Sequence, residues 1–187
     1  MNREEEKGQL IKDLKELRKR LSGLSETVDK LTGLCNKEYF IDLAECEFLR
    51  ALRFQRPLSL ILISIKDFEL IKSQNGSEVA YNILKEVANR CSKKVRELDY
   101  FGRYDEDKLV LLLPEADKFA IQKVAERLQE VVRSSPIVVG EQNFNVSLCQ
   151  GGVELSEKYK DLQEFLKEGE EALKEAQKRE ESFFVAK

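Results

Sequence analysis

Apolar residues recur in steps of three and four along the first thirty positions. Leu10, Leu14, Leu17, Leu21, Leu24, Val28 and Leu31 form the series, with Lys, Arg and Glu between them. That spacing is a heptad seam and predicts an amphipathic, coiled-coil-type helix over residues 1–28. A stripe this apolar needs a partner. Either a second copy supplies the same seam, giving a parallel homodimer, or the helix folds back on its own domain. Ser22-Gly23 weakens the middle, because glycine costs a helix interior about 1 kcal/mol.

After the seam the pattern changes. Asn36 is placed to cap a helix whose apolar face would be Phe40, Leu43, Cys46, Phe48, Leu49 and Leu52, with Pro57 as its stop. LSLILISI, residues 58–65, is an apolar run broken only by Ser59 and Ser64, and its β-branched residues predict a central covered strand. Asn75-Gly76 turns the chain into a helix reaching about residue 95, facing inward through Val79, Ile83, Leu84, Val87 and Ala88. YFGRY and KLVLLL read as antiparallel partners around the acidic turn Asp105-Glu106-Asp107. A helix over residues 116–133 follows, on Phe119, Ile121, Val124, Ala125, Leu128 and Val131. PIVV and FNVSL predict a second strand pair around GEQN, and a last helix over residues 159–178 leads to the apolar tail SFFVA. The sum is α+β: a central, mostly antiparallel sheet covered by helices, forming one domain over residues 29–187 behind the N-terminal helix.

Composition removes several function classes. The chain has 187 residues, 42% apolar and 36% charged, which suits a folded, helix-rich domain. Its 32 basic and 35 acidic residues leave a net charge of −3, so no global field recruits nucleic acid or anionic lipid. The opening MNREEEKGQL does not read as a signal peptide, and the longest apolar run is far short of the roughly 20 residues a membrane helix needs. The four cysteines, Cys35, Cys46, Cys91 and Cys149, are scattered without a C-x-x-C pair, as expected of reduced thiols in a cytoplasmic protein. There is no histidine, which excludes Ser-His-Asp chemistry and His-based zinc motifs, and no glycine-rich nucleotide loop of the P-loop or Rossmann kind.

Several segments, taken in order, carry a resemblance. They are DKLTGLCNKEYF (29–40), PLSLILISI followed by NGSEVA, RELDYFGRYDEDKLVLLLP, AERLQEVV, NVSL and EEALKEAQK. Together they resemble the landmarks of GGDEF domains, the diguanylate cyclases that join two GTP into cyclic di-GMP. The resemblance covers residues 29–187 and implies the fold of that family.

It also implies lost chemistry. Where the family hairpin carries Gly-Gly, then Asp or Glu, then Glu-Phe, this chain has Asp105, Glu106, Asp107, Lys108 and Leu109. Two carboxylates replace glycines that let a nucleotide approach. Each like-charge contact with a triphosphate costs on the order of several kcal/mol at an effective dielectric near 20. Ser64 and Lys66 stand at the strand aspartates that hold metal, Lys72 and Tyr81 at the guanine-reading Asn and Asp, and Gln177 at a late phosphate lysine. The expectation is therefore a catalytically inactive domain with no catalytic residues, no metal and no cofactor. Its acidic turn should be a solvated tip, and Lys72 and Tyr81 surface replacements.

One motif survives the comparison. Arg96-Glu97-Leu98-Asp99 ends five residues before the hairpin positions, the spacing of the family's inhibitory Arg-x-x-Asp site. Arginine forks onto a guanine edge or phosphate while aspartate accepts from the base, and Arg127 would add a further cation. The resemblance thus implies a cyclic di-GMP receptor. Arg96 and Asp99 are equally readable as a surface ion pair worth a few tenths of a kcal/mol. In that case the domain is a dimerising module that binds a signalling protein.

Overall fold

The computed structural model describes residues 27–186. The helices are α1 (Lys37–Phe54), α2 (Phe68–Asn75), α3 (Ser77–Ser92), α4 (Lys118–Arg133) and α5 (Leu162–Lys178). The strands are β1 (Leu58–Ile65), β2 (Tyr100–Arg103), β3 (Lys108–Pro114), β4 (Ile137–Val139), β5 (Gln142–Phe144), β6 (Leu148–Glu154) and β7 (Phe183–Val185). Five strands form one sheet in the order β2-β3-β1-β6-β7, and β4-β5 is a separate ribbon. β1 runs antiparallel to both β3 and β6, and only β7 joins in parallel.

β1 is buried throughout because both of its faces are covered, and its two serines, Ser59 and Ser64, are each hydrogen-bonded. Ile61, Ile63 and Ile65 pack under α3 and α4, whereas Leu58, Leu60 and Leu62 pack under α1 and α5. The period of two assigns alternate residues to opposite layers, so both sides are mainly apolar. The result is a helix–sheet–helix sandwich, the α+β arrangement expected. Asn36 caps α1 by accepting from Tyr39 N–H at 2.9 Å, and Asp117 and Asp161 cap α4 and α5 in the same way.

Several local expectations need correction. The seam positions Leu10 to Leu24 lie outside the described residues, but Val28 and Leu31 are not helical. Val28 bridges Cys35, and Leu31 sits in a turn closed by Gly33 N–H onto the Asp29 carbonyl. α1 buries Phe40 and Phe48, as expected, but together with Ala44 and Ala51, so Leu49 (57% exposed), Leu52 and Phe54 face outward and Cys46 is exposed. Phe119 is 78% exposed because it lies on the first turn of α4, and Val132 takes the inward place expected of Val131. The helix α2 was not anticipated: it has two turns and a single buried residue, Phe68. PIVV pairs with Gln142–Phe144, so of FNVSL only Phe144 takes part in that ribbon. The strand that matters there is β6, whose Gly151-Gly152 reads in sequence as a turn. The tail SFFVA supplies β7. No helix among the described residues is long and apolar enough to cross a membrane.

Candidate functional site

The acidic turn between β2 and β3 closes without glycine. Tyr104 and Asp105 N–H both reach the Lys108 carbonyl, at 2.9 and 3.2 Å, and no residue from Asp105 to Asp107 adopts a positive φ. Two of its carboxylates, those of Asp105 and Glu106, take hydrogen bonds from within the protein. Asp105 accepts from Glu106 N–H and from Lys108 Nζ, and these bonds lower its pKa, the backbone N–H contributing most. Glu106 reaches across to α2 and α3 and accepts from both Lys72 Nζ and Tyr81 OH. The Lys72 bond is the leading reason its pKa is lowered, and the pKa values of Lys72 and Tyr81 are raised in return. The tip is exposed at Asp105 and Glu106, as expected, and Glu106 also latches it onto Lys72 and Tyr81.

Arg103, at the end of β2, holds the other side of the turn. Its guanidinium donates to the Asp105 and Glu106 carbonyls at 3.2 and 2.8 Å and to Asp29 at 3.1 Å. Asp29 is steadied in turn by Thr32 N–H and Oγ1. The tip is thus tied to α2 and α3 on one side and to the segment before α1 on the other.

Beside the latch lies a cleft of about 580 Å³ bordered by Lys66, Asp67, Glu69, Asp107, Gln177 and Glu180 among others. One ammonium faces four carboxylates there, an unfavourable setting for a triphosphate. Ser64, 2% exposed at the end of β1, accepts a hydrogen bond from Gln177 Nε2 at 3.0 Å. The two positions that the resemblance assigns to metal and phosphate therefore form a neutral pair. Among the described residues no three Cys, Asp or Glu side chains converge as a metal site. Asp107 alone, with Lys66 beside it, does not fit a two-metal centre, which needs several carboxylate oxygens. Cys91 is equally unsuited to chemistry, since burial pushes its thiol up to about 12.

The surviving motif lies elsewhere, in the turn before β2. Asp99 accepts from the Arg96 backbone N–H at 3.0 Å, and Asp99 N–H returns a bond to the Arg96 carbonyl at 3.1 Å. The carboxylate holds the backbone, so the two residues do not make the side-chain ion pair considered above. The Arg96 guanidinium has no protein partner among the described residues. Burial raises the pKa of Asp99, opposed by the Arg96 N–H and by the charges of Arg96 and Arg127.

Arg127 projects from α4 into the same depression, which measures about 380 Å³. Its Nε and Nη2 are buried and make no hydrogen bond. Sequence reasoning thus brought together Arg96, Asp99 and Arg127, as the structure does. It missed Lys123 and Phe119, which line the same depression. Their spacing, four and eight residues before Arg127, was the available signal. The Glu106 latch had no local signal, its partners lying 34 and 25 residues away in sequence.

Comparisons with known proteins bear on the family and the fold. A diguanylate cyclase of Vibrio cholerae is 29% identical over 90% of this chain and 51% of its own length. The response regulator PleD of Caulobacter vibrioides is 31% identical over 66% of this chain and 28% of its own. The chain thus spans about half, or less, of these relatives. Among solved structures, the coiled coil and GGDEF domain of DgcB from Caulobacter crescentus, determined in complex with c-di-GMP, superimposes with a TM-score of 0.86 at 16% identity. That match covers 98% of each chain. Residues 26–182 match the family described as Diguanylate cyclase, GGDEF domain, and the chain belongs to that family.

Proposed function

We propose that this domain binds cyclic di-GMP through Arg96, Asp99 and Arg127 and does not convert GTP. The observation that carries the reading is the Arg127 guanidinium, two of whose nitrogens are buried without a partner in a depression shared with Arg96 and Asp99. A buried charged donor left unmade is costly, and an anionic ligand would satisfy it. Three cations, Arg96, Lys123 and Arg127, line the depression against the carboxylates of Asp99 and Asp117. Asp117 is already committed as the cap of α4. The balance is basic, in contrast to the acidic cleft at the hairpin.

Inactivity rests on that cleft. Glu106 lies against the two side chains at the guanine-reading positions, and Ser64 and Gln177 supply neither metal ligand nor cation. The Vibrio cholerae relative is named a diguanylate cyclase, so the competing activity is tested directly: incubation with GTP and Mg²⁺ should yield no cyclic di-GMP. The heptad seam of residues 10–24 supports a homodimer in which two such domains sit side by side.

A second reading, a module for a signalling protein partner, is favoured by one feature. A groove of about 440 Å³ bordered by Phe54, Pro57 and Leu98 lies beside exposed apolar residues of α1, and Leu98 itself is 79% exposed. Isothermal titration with cyclic di-GMP separates the two. Micromolar or tighter binding that Arg96→Ala loses supports the receptor. No heat from either cyclic di-GMP or GTP would leave the interaction module.

A further inference from the structure

The depression holding Arg96 and Asp99 is walled on its other side by a single stripe of α4. Phe119, Lys123 and Arg127 follow at intervals of four, so they lie one above another on one helix face over roughly 12 Å. All three line the depression, and Phe119 is 78% exposed, among the most exposed of the large apolar side chains. A site for a bare anion has use for the ammonium and the guanidinium but none for an open aromatic face. A nucleotide phosphodiester has use for all three, because every base carries a π-face that stacks on an aromatic ring.

From this juxtaposition we propose that Phe119 is a base-stacking platform and that Lys123 takes a phosphate of the same ligand, making the α4 stripe the element that distinguishes a nucleotide from a simple anion. The inference rests on the receptor reading above and adds to it two residues that the Arg-x-x-Asp motif does not contain. Guanine edges are read on the Arg96 and Asp99 side, the phosphodiester lies between Arg127 and Lys123, and the outermost base lies on Phe119. Phe119 sits on the first turn, beyond the buried part of α4, so its replacement leaves the core intact.

The chain has no tryptophan, so Phe119→Trp introduces a single indole at the platform. The test titrates the full chain with cyclic di-GMP by calorimetry and by indole fluorescence, with inorganic phosphate as the second probe. Phe119→Ala should weaken cyclic di-GMP binding about tenfold or more, the range expected for one lost stack. Phe119→Trp should bind within a few-fold of the unaltered chain, and its emission should be quenched on saturation by cyclic di-GMP but not by phosphate. Combining it with Arg96→Ala should abolish the quench at the same ligand concentration. Lys123→Ala should weaken binding and flatten its salt dependence. Binding by the unaltered chain that Phe119→Ala leaves within twofold, with indole emission unmoved at saturation, would overturn the platform while leaving the receptor standing. Absence of binding by the unaltered chain would overturn both.

Discussion

Replacing Arg103 by methionine keeps the aliphatic stem and removes the guanidinium that anchors the acidic turn. The side chains of Arg103 and Asp29 are each only 18% exposed, so the pair is largely removed from water. Arg103 makes three hydrogen bonds, to Asp29 and to the Asp105 and Glu106 carbonyls, and its rigid fork serves all three at once. An exposed ion pair contributes about 0.2–1 kcal/mol, whereas a hydrogen bond from a charged group contributes about 1.5–3 kcal/mol where water is kept out. With partial exposure discounting the sum, Arg103→Met should destabilise the domain by about 2–3 kcal/mol. For a domain of this size that lowers Tm by roughly 5–10 °C. Urea denaturation of the unaltered chain, Arg103→Met, Asp29→Asn and the double variant would give the coupling energy, expected at about 1 kcal/mol or more. Arg103→Lys should recover little, since an ammonium cannot reach three separated acceptors. A coupling below about 0.3 kcal/mol, with Arg103→Met within about 0.5 kcal/mol of the unaltered chain, would refute the anchoring of the tip.

Other consequences are as direct. A Cβ at Gly151 would lie 2.1 Å from Leu173 N and 2.5 Å from its Cα, so α5 would have to retreat about an ångström; at Gly152 it would meet side-chain atoms of Ile121 and Phe183 at 2.9 Å. Gly151→Ala should therefore cost about 3 kcal/mol or more in urea denaturation and Gly152→Ala distinctly less, equal costs counting against the close helix–strand approach. The Glu106 pKa is lowered from 4.5, mainly by Lys72, so the latch stabilises the fold above that value and loses its contribution as pH falls through the lowered one. Glu106→Gln should show a shallower loss of stability on acidification, and an unchanged acid limb would mean that the latch is not formed. Phe165, wholly buried between Phe48 and Tyr159, should cost about 3–5 kcal/mol as Phe165→Ala, read from the same urea transitions.

How much of this was legible in the sequence follows from the range of each signal. β1, β3, α3 and α5 announce themselves by local periodicity or by an apolar run. β6 was hidden because Gly151 and Gly152, a turn signal in isolation, are there to admit α5, α4 and β7, which lie far from it along the chain. β7 exists only as a parallel partner of β6, and α2 is too short for its periodicity to stand out. The outward turn of Leu49, Leu52 and Phe119 contradicts their apolarity because alanine, at Ala44 and Ala51, fills the tight places under α1 and the groove side of α4 is open. At the site, Arg96 and Asp99 were found through the resemblance of their Arg-x-x-Asp spacing to the family's motif, and Arg127 by its place on the following helix. The pairing of Glu106 with Lys72 and Tyr81, and of Ser64 with Gln177, depends on contacts across the fold, which no window of sequence contains.

The strand order also sets how the domain would carry load. At the N-terminal side Val28 bridges Cys35, which bridges Gly102 of β2, while the last described residues leave from β7 at the opposite edge of the sheet. These edges are four strand spacings apart, roughly 19 Å. A pull between the two ends acts across the ladders rather than along them, so it unzips rungs in turn instead of shearing them together. The first to open is the three-residue parallel joint of β7, whose loss bares one edge of β6 and leaves the β3-β1-β6 centre and the anchored hairpin in place.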